Sequence, residues 1–167
     1  MIAAMDVDGF IPSTIEIVRR DNTPDGDLGT VDKEKFVDWV KHKLCPTLGQ
    51  YALGEPWSIV VMDNAATYMD ERIEELIRSA GAYLIYTAPY SPDLNPIEYG
   101  FNLYKTYLKK NSENFNINWY HTHLEALESV TRDICIKEFR HCSVPLNNET
   151  LTSNEIEELA VVALLLI

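Results

Sequence analysis

Two carboxylates in this chain sit where a rigid element meets a loop. Asp63 follows Trp57-Ser58-Ile59-Val60-Val61-Met62, an apolar, β-branched run with the length of a short buried strand. Glu98 ends Ala88-Pro89-Tyr90-Ser91-Pro92-Asp93-Leu94-Asn95-Pro96-Ile97-Glu98, where three prolines force an extended loop that releases into a helix. Carboxylates are the ligands that hard divalent cations such as Mg²⁺ require. A pair carried on a strand end and a first helical turn could reach a common cleft at the carboxyl edge of a sheet.

Each acid also has a purely local explanation. With Asn95 as the helix cap, Glu98 stands at the third helical position, where a glutamate can reach back to the cap's N–H and favour the helix dipole. Asp63 can be an ordinary turn residue or cap.

The elements that must position them follow from periodicity. Ile2 to Val7 and Phe10 to Val18 read as strands joined at Asp8-Gly9, and Arg19 to Thr30 as a loop. Phe36, Trp39, Val40 and Leu44 give an amphipathic helix over about 32–45, closed by Pro46. A helix over about 69–80 buries Ile73, Leu76 and Ile77 and stops at Gly81; Ala82 to Tyr86 is the next strand. The helix carrying Glu98 places Ile97, Phe101, Tyr104 and Leu108 on one stripe down to about Lys110. Further helices are predicted over about 119–131, around Ile136 and, after a polar break at Asn147-Asn148, from about Ser153 to the end. The division is a domain over 1–145 and a helical tail over 146–167.

Other chemical residues read more plainly. Asp93, Asp6 and Asp8 are candidates for a third acid, but Asp93 suits an Asx turn, Asp8 suits the Asp-Gly turn, and Asp6 lies on a strand facing away from Met5 and Val7. His121, His123, His141 and Cys142 match no zinc-finger spacing. Lys105, Lys109 and Lys110 form a basic stretch of helix that can touch a phosphate backbone or be solvated.

Val61-Met62-Asp63-Asn64-Ala65 and Pro89 to Glu98, with the 34 residues Asn64 to Ile97 between the acids, resemble the second and third catalytic positions of mariner-superfamily DDE transposases. The resemblance runs from about Ile2 to about Pro145 and includes Met5-Asp6-Val7-Asp8-Gly9 and Phe139-Arg140-His141-Cys142. It implies a ribonuclease H-like mixed α/β sheet flanked by helices. Asp63 and Glu98 would be catalytic residues holding Mg²⁺ or Mn²⁺, and DNA, as transposon ends and target, would be the partner. Lys105, Lys109 and Lys110 would then be candidate DNA contacts. The family's first Asp, on its first strand, has no counterpart, because Ile2 to Val7 matches the second strand better; the family's N-terminal helix-turn-helix region is also unmatched. Tyr68 stands where many relatives carry His.

If the first strand, central between the second and fourth, were lacking, open edges at Ile2–Val7 and Ile59–Met62 would favour self-association, unless those strands paired directly. Either an active transposase core or an inactive remnant serving as an interaction module fits this pattern.

Composition sets outer limits. The 167 residues, 46% hydrophobic, suit one domain with a sizeable core. A net charge of −12 argues against tight nucleic-acid binding by this chain alone. Three cysteines without CxxC spacing point to reduced thiols inside a cell, in the nucleus if the source is eukaryotic. The apolar tail Leu159 to Ile167 is too short to span a bilayer, so no membrane association is expected.

Overall fold

The computed structural model describes residues 1–18, 31–64, 69–142 and 161–166. Arg19 to Thr30, Tyr68 and the break at Asn147-Asn148 lie outside the described residues. Among those described, five strands form one mixed sheet: β1 (Ile2–Asp6), β2 (Gly9–Phe10), β3 (Ile59–Met62), β4 (Tyr83–Tyr86) and β5 (Val161–Leu166). Their order is β2-β1-β5-β3-β4. The helices are α1 (Lys33–Trp39), α2 (Glu71–Ser79), α3 (Pro96–Lys110), α4 (Ser112–Ile117), α5 (Trp119–Glu128) and α6 (Arg132–His141).

Strand alternation sorts the core into two layers. Ala3, Met5 and Val61 face α3, α5 and α6, packing with Phe10, Ile97, Phe101, Ala126 and Phe139. Ile2, Ala4, Val60 and Met62 face the other way, against Phe36, Trp39, Leu44, Ile73 and Ile77 from α1, its π-helical continuation Val40–Leu44, and α2. Helix α3 lies close on β1: a Cβ at Gly100 would stand 2.6 Å from Met5 Sδ, so glycine sets the depth at which this helix seats.

Three expectations are corrected. Strand structure does not continue over Phe10–Val18: after Phe10 the chain turns through a 3₁₀ segment, Pro12–Thr14, and returns to the sheet only at a bridge between Ile2 and Glu16. Pro12 has no N–H to give a ladder. The Thr14 hydroxyl is inserted into the Ala4–Ile11 pair, accepting from Ala4 N at 2.9 Å and donating to Ile11 O at 2.7 Å.

Secondly, Val161–Leu166 is a strand rather than part of a terminal helix. An unbroken apolar run is compatible with a buried strand or a buried helix, and periodicity cannot choose between them. The unfilled ladder between β1 and β3 makes the choice. β5 runs antiparallel to β1, with Ile2 opposite Leu166 and Met5 opposite Ala163, and parallel to β3, with Ile59 opposite Val161 and Met62 opposite Leu164. The tail is therefore part of the domain's sheet.

Thirdly, the facing edges of β1 and β3 neither stay open nor pair with each other, because β5 is hydrogen-bonded to both. Self-association through those edges has no free backbone to use.

Candidate active site

Asp63 is the first residue past β3, and it is half-buried. Its Oδ1 accepts a hydrogen bond from Asn95 Nδ2 at 2.8 Å and a longer one from Thr87 Oγ1 at 3.4 Å. Thr87 is placed by the sheet, since its backbone N–H extends the β3–β4 pairing by donating to Met62 O at 2.9 Å. Burial pushes the Asp63 carboxyl above the ordinary range, and the Asn95 and Thr87 donors oppose that rise.

Glu98 lies in the first turn of α3, also half-buried. Glu98 keeps the first-turn place that favours the helix dipole, but the capping-box explanation does not hold. Asn95 has the extended backbone of a cap (φ −110°, ψ 110°), yet its side chain makes no cap hydrogen bond. It is fully buried and turned toward Asp63. A side-chain cap is ordinarily worth about 1 kcal/mol, so the helix forgoes that amount here, and Pro96 at the first position reduces the loss by leaving one fewer N–H to satisfy. Without a capping box, the Glu98 carboxylate is left to the cleft. Burial raises its pKa, the Asp63 charge raises it further, and Lys105 opposes both. The Asp63 charge is thus felt at Glu98 across the proline loop.

The loop between them is held from outside. In the 3₁₀ turn Pro92–Leu94 the carbonyl of Asp93 accepts from the Cys142 thiol at 3.2 Å, and the His141 ring stands edge-on to Tyr99 at 5.5 Å. Phe139 is fully buried in the same layer. The Phe139-Arg140-His141-Cys142 motif is thus a brace for the turn that aims Glu98. Sequence reading noted the motif but gave it no such role, because its contacts are distant in the chain.

Two adjoining depressions flank Pro92. One is lined by Asp63, Thr87 and Tyr90 among others, and the second by Asp93, Glu98, Asn102 and Lys105. Lys105 is two turns along α3 from Glu98. At about 100° per residue, Lys109 falls within about 20° of the same line, whereas Lys110 lies about 120° away. The structure therefore brings Lys105 to Glu98, and helical spacing continues that line through Lys109 and leaves Lys110 off it.

The remaining candidates are elsewhere. Asp6 is at the opposite edge: it lies one residue beyond the Met5–Ala163–Val61 row, toward the start of β3, and its Oδ2 accepts from Trp57 Nε1 at 3.0 Å. Asp8 is exposed and paired with Arg132. His123 is buried against the Tyr104 hydroxyl, and His121 pairs with Glu125 at 3.3 Å. The three cysteines are free; burial pushes Cys45 and Cys142 up to about 11 and Cys135 up to about 12, so they stay thiols. Among the described residues, no three His, Cys, Asp or Glu side chains are grouped to hold a metal ion, and no helix is long and apolar enough to cross a membrane.

A mixed α/β domain with one carboxylate just past a strand and another in the first turn of a following helix fits a DDE-type nuclease. The family model described as DDE superfamily endonuclease matches residues 27–117, more than half of the chain and inclusive of both acids, and the chain belongs to that family. No curated protein and no solved structure matches it.

Proposed function

We propose that this chain is the catalytic-domain portion of a mariner-type DNA transposase, with a ribonuclease H-like core in which β5 takes the central place of the family's first strand. The observation that carries this reading is Asn95, which opens the helix of Glu98 yet gives its side chain to Asp63 rather than to a cap, so that the two acids flank one proline loop and the Asp63 charge is felt at Glu98. The donor set is suitable for one Mg²⁺ or Mn²⁺, an ion commonly held by one or two carboxylates together with substrate phosphates. Bound there, the ion supplies Lewis-acid polarisation of a phosphoryl oxygen. The protein's own part is to fix Asp63 through Asn95 and Thr87, to aim Glu98 by the braced proline loop, and to offer the Lys105 and Lys109 stripe to a DNA phosphate. The expected setting is intracellular, and the nucleus in a eukaryote.

A second reading has its own observation: no third acid joins Asp63 and Glu98 among the described residues. Two-ion phosphoryl transfer needs carboxylate charge to hold cations about 3.5–4 Å apart. On that ground the domain would be an inactive DNA or protein interaction module. Incubating the chain with supercoiled plasmid and Mg²⁺ or Mn²⁺ separates the two. Nicking abolished by Asp63→Ala and by Glu98→Ala supports the enzyme; Mn²⁺ binding that needs both acids, without nicking, supports the module. Binding indifferent to both substitutions refutes the metal site itself.

A further inference from the structure

Asn95 stands 32 residues from Asp63 in sequence, is completely buried, and sits at the N-terminus of α3, where a short polar side chain ordinarily caps the helix. It binds the Asp63 carboxylate instead. Among the described residues, two donors reach Asp63, the Asn95 amide at 2.8 Å and the Thr87 hydroxyl at 3.4 Å, and they converge on the same oxygen, Oδ1. We propose that Asn95 is a positioning residue that commits Oδ1 of Asp63 to the protein and leaves Oδ2 as the oxygen presented to a cation in the cleft. The proposal rests on the metal-site reading above.

Its geometry accounts for an otherwise odd choice. A carboxylate free to rotate can bind a cation through one oxygen or both, and can also swing out of the cleft. Asn95 is rigid because its backbone begins α3 behind Pro96, and Thr87 is rigid because it continues the β3–β4 ladder. Two fixed donors on one oxygen therefore set the plane of the carboxyl group and leave its other oxygen for coordination. Removal of such outer partners commonly weakens cation affinity about 10- to 100-fold.

The test uses the whole chain and two measurements. In the cation-free protein, NMR of the Asn95 carboxamide should show slowed proton exchange that is lost in Asp63→Ala and kept in Asp63→Asn, which retains an acceptor oxygen. With Eu³⁺ as the probe, luminescence lifetimes in H₂O and D₂O count bound waters. Asn95→Ala should weaken Eu³⁺ binding about 10- to 100-fold and lower the water count by about one, as the released carboxylate chelates through both oxygens. A merely structural role would lower the melting temperature without changing that count. An Asn95 carboxamide that exchanges freely in the parent chain, or a water count unchanged by Asn95→Ala, overturns the proposal. If Eu³⁺ binding does not depend on Asp63, the metal-site reading fails, and the carboxamide measurement still decides whether Asn95 holds Asp63.

Discussion

Trp57→Phe should destabilise the chain in a pH-dependent way, with no effect on cation binding. The indole N–H of Trp57 donates to Asp6 Oδ2 at 3.0 Å, while Asp6 Oδ1 accepts from Asp8 N at 2.8 Å. Asp6 is only 6% exposed, and burial raises its carboxyl above the ordinary range against the pull of these donors. A hydrogen bond to a charged group contributes about 1.5–3 kcal/mol. Trp57 is only half-buried, so the lower end applies, about 1.5 kcal/mol, or about 3–6 °C in melting temperature for a domain of this size. The sign follows from the raised folded-state pKa. Such a group contributes stability that is lost as pH rises through the folded value, and loss of the Trp57 donor raises that value further. The deficit of Trp57→Phe should therefore be full above the raised folded value and shrink as pH falls well below the ordinary Asp value of about 3.9, where the carboxyl is protonated in both states. Asp6→Asn keeps an acceptor for the indole and removes the buried charge, so it should be neutral or stabilising at neutral pH. Urea unfolding of the three proteins across that range is the assay. A deficit of equal size at both ends would refute the argument, as would loss of Mn²⁺ binding in Asp6→Asn.

Two further outcomes are expected. Ala163→Pro, in the middle of β5, removes a ladder donor between two paired strands and should cost at least about 3 kcal/mol out of a domain total of about 5–15, read as loss of a cooperative melt; an unaltered melt would show that β5 is dispensable. Glu98→Gln removes a carboxylate whose pKa is raised by burial and by Asp63. Without cation it should be more stable than the parent at neutral pH, with the difference vanishing in acid below the usual glutamate value; a destabilised variant at neutral pH would contradict this.

What could be read in the sequence was local. β3 ending before Asp63, α3 opening at Pro96, α1 capped by Asp32 and α2 stopping at Ala80 before Gly81 all follow from residues within a turn or two of the boundary. The features that escaped depend on distant partners. Asn95 carries the sequence signature of a cap, and only the fold shows that its partner is a carboxylate 32 residues earlier. Thr14 looks like a strand residue until its hydroxyl is seen serving Ala4. Val161 to Leu166 favours strand over helix only once the gap between β1 and β3 exists to receive it.

That last strand changes how the two acids depend on the rest of the chain. The family segment, 27–117, carries Asp63 and Glu98 together with β3 and β4, while β1, β2 and β5 lie outside it. Asp63 inherits its place from β3, which is held on one side by β4 and on the other by β5. Glu98 inherits its place from α3, seated by Ile97 and Phe101 in the layer over Met5 and Phe10, and from a loop braced by Cys142 of the segment that follows α6. The supports of the two acids overlap, since β5 flanks β3 and also lies against α3, so disturbance of β5 bears on both acids and disturbance of α6 first on Glu98. The Asn95 amide bridges them: its backbone starts the helix of one acid and its side chain holds the carboxylate of the other. The separation of the acids, on which any shared cation depends, is governed by that bond more directly than by either hydrophobic layer.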